Sequence, residues 1–168
     1  MNINENISIG QKSRLSLRGK LYLLFLVVVL PISAVSGYQV WMDIYRSKIL
    51  DNAFDAYRYS NLASNQFTSF LNSVADAVDS GRLGSSSQQS LEEAAGNYQK
   101  LMKVPGASLD PNLMQRLETL VTKVESDKSI DNMLPLQAEM RGIKDILSNI
   151  SSENQNHLGT VITSGAKA

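Results

Sequence analysis

Residues 50–78 read LDNAFDAYRYSNLASNQFTSFLNSVADAV. Apolar or small side chains recur at Leu50, Ala53, Tyr57, Ser60, Ser64, Phe67, Leu71, Val74 and Val78. The steps alternate three and four, the spacing of a helix whose one face packs on other helices. Between Tyr38 and Ser80 there is neither Pro nor Gly. This predicts one uninterrupted helix over that length, ended by Gly81, Gly84 and the serines 85–87.

Moving toward the N-terminus, 22 residues from Leu21 to Met42 carry no charge: LYLLFLVVVLPISAVSGYQVWM. At a helical rise of about 1.5 Å per residue they span roughly 33 Å, against ~30 Å for a bilayer's hydrocarbon core. Tyr22 at one end and Tyr38 and Trp41 at the other have the amphipathic rings that settle at membrane interfaces. Pro31 falls mid-span, where its missing N–H predicts a kink. Ser33 and Gly37 are spaced to let two such helices approach, or else simply fill space. Lys12, Arg14, Arg18 and Lys20 precede the span, opposed only by Glu5. The positive-inside rule then puts residues 1–20 in the cytoplasm, 21–42 in the membrane, and 43–168 outside it. A cleaved signal peptide is the rival reading, with Ala34 and Ser36 spaced like a cut site. The long basic segment, the uncharged stretch beyond that cut and Trp41 favour an uncleaved anchor.

Moving toward the C-terminus, three further helices are expected. The second starts in the serine run, with Ser90 and Glu93 at capping-box spacing, and carries Leu91, Ala94, Tyr98, Leu101 and Met102. Pro105 and Gly106 stop it. The third has Asp110 as cap and Pro111 at the first helical position, with Leu113, Leu117, Leu120, Val121 and Val124 as its stripe. The fourth starts between Asp131 and Pro135 and repeats a heptad: Met133, Leu136, Met140, Ile143, Leu147, Ile150, Asn154, His157, Val161. No stretch alternates with period two, so no strand is predicted. None of these helices buries its own stripe. The expected fold is therefore all-α, an N-terminal transmembrane helix continuing into an antiparallel four-helix bundle. The 82–87 and 105–112 connections are expected at its far end.

Composition removes most chemistry. There is no Cys, one histidine (His157), and a balance of sixteen basic and sixteen acidic residues. Thiol catalysis, disulfides and thiolate metal sites are excluded, and a multi-histidine metal site is impossible. A neutral chain lacks the basic excess of a nucleic-acid binder. No phosphate loop, nucleophile elbow or metalloprotease motif occurs, so no enzyme activity, metal or cofactor is expected. The polar residues that interrupt the two heptads are the remaining candidates. Ser60 and Ser64 break the first, Asn154 and His157 the last, at similar expected depth. With Tyr57, Arg58 and Asn61 they read as a small-molecule pocket between facing helices. The alternative is a polar layer that holds water or fixes register.

Arg14 to Tyr38, RLSLRGKLYLLFLVVVLPISAVSGY, followed by about 125 helical residues, resembles the N-terminal sensory region of bacterial methyl-accepting chemotaxis receptors and related transmembrane sensors. The resemblance implies a ligand-binding bundle, a homodimer, a small-molecule ligand or a periplasmic binding protein as stimulus, and output by helix displacement. In that family a second membrane helix and a cytoplasmic signalling rod follow. The chain is then a fragment of a longer receptor or a single-pass protein. A membrane-anchored helical scaffold and a secreted helical protein are the competing function classes. A second apolar span encoded after Ala168 separates the receptor from the scaffold. The N-terminus of the mature protein separates both from the secreted form.

Overall fold

The computed structural model describes residues 16–165; Lys12 and Arg14 of the expected cytoplasmic segment lie outside them. Contacts divide the chain into two units, with the boundary between Ile44 and Tyr45.

In the first unit, α1 (Leu17–Leu24) begins at Ser16, whose hydroxyl accepts a hydrogen bond from the Gly19 N–H. A π-helical turn, Phe25–Val29, leads into α2 (Leu30–Asp76). The Leu30 N–H reaches back five residues to the Phe25 carbonyl. The wider turn sits immediately before Pro31, which cannot donate to the preceding turn, so the ladder changes register there. Side chains 21–41 are all exposed. The most apolar 18-residue window has a mean hydropathy of 2.2, with none of it buried. Among the described residues this is the one helix long and apolar enough to cross a membrane. Its serine hydroxyls are spent on its own backbone: Ser33 and Ser36 donate to the carbonyls of Val29 and Ile32, each at 2.9 Å. Such closure is what a hydrocarbon surrounding requires of a hydroxyl. The Tyr38 and Trp41 rings lie 6.1 Å apart.

In the second unit the rest of α2 joins α3 (Ser85–Leu101), α4 (Leu113–Ser126), a short α5 (Ile130–Met133) and α6 (Gln137–Gly165). A 3₁₀ turn, Leu134–Leu136, carries Pro135. No strand occurs among the described residues; Arg82 and Ser129 form a single bridge. The fold is all-α, with one hydrophobic core drawing on α2, α3, α4 and α6.

The buried face of α2 differs from the heptad read in the sequence. It runs Ala53, Ala56, Ser60, Ala63, Phe67, Phe70, Val74 and then Ala77 just past the helix. Ala53, Ser60, Phe67 and Val74 are shared by both sets. The alternate positions turn one residue back: Tyr57, Ser64 and Leu71 are half-buried and Val78 is exposed. Leu50 is exposed as well. A three-four repeat serves equally for a neighbour on either side of it. The fold places its neighbours on the alanine side, where small side chains permit close approach.

Helix ends also move. α2 stops at Asp76 rather than near Ser80, and Gly81 follows at φ 71°, its N–H on the Ala77 carbonyl at 3.0 Å. α3 starts in the serine run as expected, at Ser85, with Gly84 rather than Ser90 at the cap. α4 starts at Leu113, not at Pro111. Asp110 instead closes a turn, its carboxylate accepting from the Asn112 N–H at 2.8 Å and its carbonyl from the Leu113 N–H at 3.2 Å. The α2–α3 and α4–α5 connections pair directly: the Leu83 N–H donates to the Lys128 carbonyl at 2.8 Å and the Ile130 N–H to the Gly81 carbonyl at 3.1 Å.

Candidate functional site

The α3–α4 connection, residues 102–112, is not a distal loop. It lies against the middle of α6. The Ser108 N–H donates to Asn154 Oδ1 at 2.9 Å, and Asn154 Nδ2 donates to the Ser108 carbonyl at 3.4 Å. The Ser108 hydroxyl donates to the Glu153 carboxylate. Val104 and Ala107 pack on the core beneath the loop. Tyr98, fully buried in α3, holds the other end. Its hydroxyl donates to the Asp110 carbonyl at 2.7 Å and accepts from the Asp110 N–H at 2.9 Å. Burial pushes the Tyr98 phenol above its usual value. Its hydrogen bond to Asp110 opposes that shift, and the nearby Asp110 charge adds to it.

Lys100, at the end of α3, lies over the Tyr59 ring on α2 at 5.9 Å, and Arg58 lies over it at 5.8 Å. Tyr59, Lys100, Ser108 and Asn154 thus mark one level of the unit. Beyond it α3 and α4 have ended, and only α2 and α6 continue. There a groove of about 520 Å³ opens between them, lined by Arg46, Ser47, Ile49, Leu50, Val161, Ile162, Ser164 and Gly165. Arg46 is its one charged lining residue, and the walls are mainly aliphatic.

Of the candidate ligand residues, Ser60 and Asn154 are buried, and Tyr57, Asn61 and Ser64 are half-buried. Arg58 is exposed, and so is His157, which faces away from the seam its spacing suggested. Ser60 turns its hydroxyl onto the Tyr57 carbonyl at 3.0 Å, and Asn61 accepts from Asn65 at 3.4 Å. The Ser64 carbonyl accepts from Thr68 at 2.9 Å. Every buried side-chain nitrogen or oxygen among the described residues has a partner. The structure therefore buries Ser60 and Asn154 with their polar groups already engaged. No cluster of three potential metal ligands occurs among the described residues.

Tyr98, Ser108, Glu153 and the groove residues are the additions that sequence reasoning did not single out as site residues. Tyr98 was legible as a stripe position. Its bond to Asp110, twelve residues on, was not, because nothing in a helical repeat encodes where a loop returns. Comparison of the chain with protein-family models, curated proteins and solved structures returns no match.

Proposed function

We propose that this chain is the sensory input region of a bacterial transmembrane receptor of the chemotaxis type. The apolar helix spans the cytoplasmic membrane with its N-terminus inside, and residues 43–168 form an antiparallel four-helix bundle outside. One observation carries the reading: the end of α6, Val161–Gly165, lies against Arg46–Leu50, which follow the apolar span directly in the chain. The paired connections 81–83 and 128–130 support the same layout at the opposite ends of these helices. A bundle whose first helix continues from the span in sequence and whose last helix ends beside that first helix's start is what an input domain needs to pass a displacement back. A stimulus shifts such a system by its differential affinity for two arrangements of the helices. The stimulus is a small molecule or a periplasmic binding protein, and the working unit is a homodimer; no catalysis, cofactor or nucleic acid is involved.

The engaged state of the buried polar atoms favours a second reading, a membrane-anchored scaffold that binds a partner on its surface and takes no ligand inside. A second apolar span encoded beyond Ala168 decides for the receptor.

The placement is tested in bacterial cells. The chain has no cysteine, so Ser13→Cys and Ser126→Cys each provide a unique label site. The protein is expected to stay with membranes through carbonate extraction. Cys at 126 is expected to react with an impermeant maleimide in intact cells, and Cys at 13 only after permeabilisation. Recovery of a soluble species beginning near Gly37 refutes the anchor.

A further inference from the structure

Among the described residues Asn154 is the one buried amide side chain, 1% exposed on a seam otherwise filled by Met140, Ile143, Leu147 and Ile150. Packing gives no reason for it there. Its amide oxygen accepts and its NH2 donates, each to a backbone group of a single loop residue, Ser108. That loop is itself held, by Tyr98 on Asp110 at one end and by Val104 and Ala107 on the core.

At this level the fully buried face of α2 is small, with the large Tyr59 ring half-buried at its edge under Lys100. From Ala53 to Ala63 its buried residues are Ala53, Ala56, Ser60 and Ala63, all small. Large knobs begin only at Phe67. Small side chains present shallow holes and low ridges, so neighbouring helices slide past them with little change in packing. One turn from Asn154 along α6 stand Ile150 and Leu158, and beside them half-buried Ser151 and exposed His157. None of these four carries the paired acceptor and NH2 donor of a carboxamide. A one-turn slide of α6 would break the paired hydrogen bonds to Ser108.

We propose that Asn154 is a register lock: its paired hydrogen bonds to Ser108 select one axial position of α6 against the smooth face of α2. The Ser108 hydroxyl on Glu153 closes the same contact from the adjacent residue. Eleven residues of α6, 155–165, continue beyond the lock, and the last of them line a groove with Arg46–Leu50 of α2. In the receptor reading, on which this consequence rests, release of Ser108 from Asn154 is the step that lets α6 move.

The test uses the full chain in lipid nanodiscs, with nitroxide labels on Asn72→Cys and Thr160→Cys, both exposed positions. These sites lie near opposite ends of α2 and α6, so an axial slide changes the distance between them directly. Pulsed electron–electron resonance is expected to give one narrow distance in the otherwise unaltered chain. With Asn154→Leu added, a second population displaced by about one turn, ~5 Å, is expected. Ser60→Ala, which removes the other buried polar group of this level, is expected to leave the distance unchanged. An Asn154→Leu protein that keeps its helical content and its single distance overturns the lock. Should that variant not fold, hydrogen exchange on the unaltered chain decides: a Ser108 amide protected 100-fold or more over a free peptide supports the lock, and one exchanging at the free rate overturns it. Both labels lie in the unit from Tyr45 onward, so cleavage near Gly37 would sink the receptor reading without touching this result.

Discussion

Replacing Tyr98 by Phe isolates what holds the 102–112 loop. The substitution removes one oxygen from a fully buried ring and opens almost no cavity. It deletes two hydrogen bonds, to the Asp110 carbonyl at 2.7 Å and from the Asp110 N–H at 2.9 Å. A buried group left unpaired costs about 1–3 kcal/mol. Asp110 is half-buried, so water reaches part of its backbone. The expected loss is therefore about 1–2 kcal/mol for the pair, toward the lower end of that range. Urea unfolding of residues 45–165, followed by circular dichroism, reads it as a lowered midpoint at unchanged slope. The pH dependence gives an independent sign. The folded-state pKa of Tyr98 is raised above the unfolded value, ordinarily ~10. The neutral phenol's contribution is complete below the unfolded pKa and is lost as pH rises through the folded one. The gap between the unaltered protein and Tyr98→Phe should hold constant from pH 7 to about 9 and narrow above ~10. The other tyrosines and the lysines titrate in both proteins and cancel. A Tyr98→Phe protein as stable as its parent, or a gap that widens at alkaline pH, refutes the assignment of Tyr98 as the loop's anchor.

Two further substitutions test the backbone and the seam. Gly96, inside α3 with nothing within 4 Å of where a Cβ would stand, should gain up to ~1 kcal/mol on change to Ala, whereas Gly81→Ala, at φ 71°, should lose about 1 kcal/mol or more; thermal melts read the pair, and equal signs would contradict the backbone described for them. Ser60→Ala removes only a hydroxyl bonded within its own helix and should change stability by less than about 1 kcal/mol, while Ser60→Leu at this fully buried position should cost about 1–3 kcal/mol by overpacking; a stabilising leucine would show room that the structure does not have.

The polar candidates show how far helical periodicity reaches. Ser60 and Asn154 interrupt their heptads and are buried. His157 continues the same arithmetic, three residues past Asn154, and is exposed. By that point α3 and α4 have ended, and α6 has only α2 left to pack on. A narrower contact buries a narrower stripe. The repeat in the sequence continues, but the neighbours that would make it a seam do not. Arg58 is a simpler case: it adjoins the buried face without belonging to it, and its guanidinium lies over Tyr59 instead.

Several features belong to the sequence alone, because each arises from bonds and side chains within a few residues of each other. The uncharged stretch from Leu21 to Met42, the helical character of all that follows, the breaks near Gly81 and Pro105, and the stripes of α4 and α6 are of this kind. The tertiary structure decided what depends on the direction from which a neighbour arrives. It turned the face of α2 from Tyr57, Ser64, Leu71 and Val78 to Ala56, Ala63, Phe70 and Ala77. It also brought residues 102–112 from the expected far end to the middle of α6, because α3 and α4, of 17 and 14 residues, are about half as long as α6, of 29. Periodicity records that a helix has a buried side. Which side, and how far along, is settled by close approach between residues distant in the chain, as where Asn154 meets Ser108.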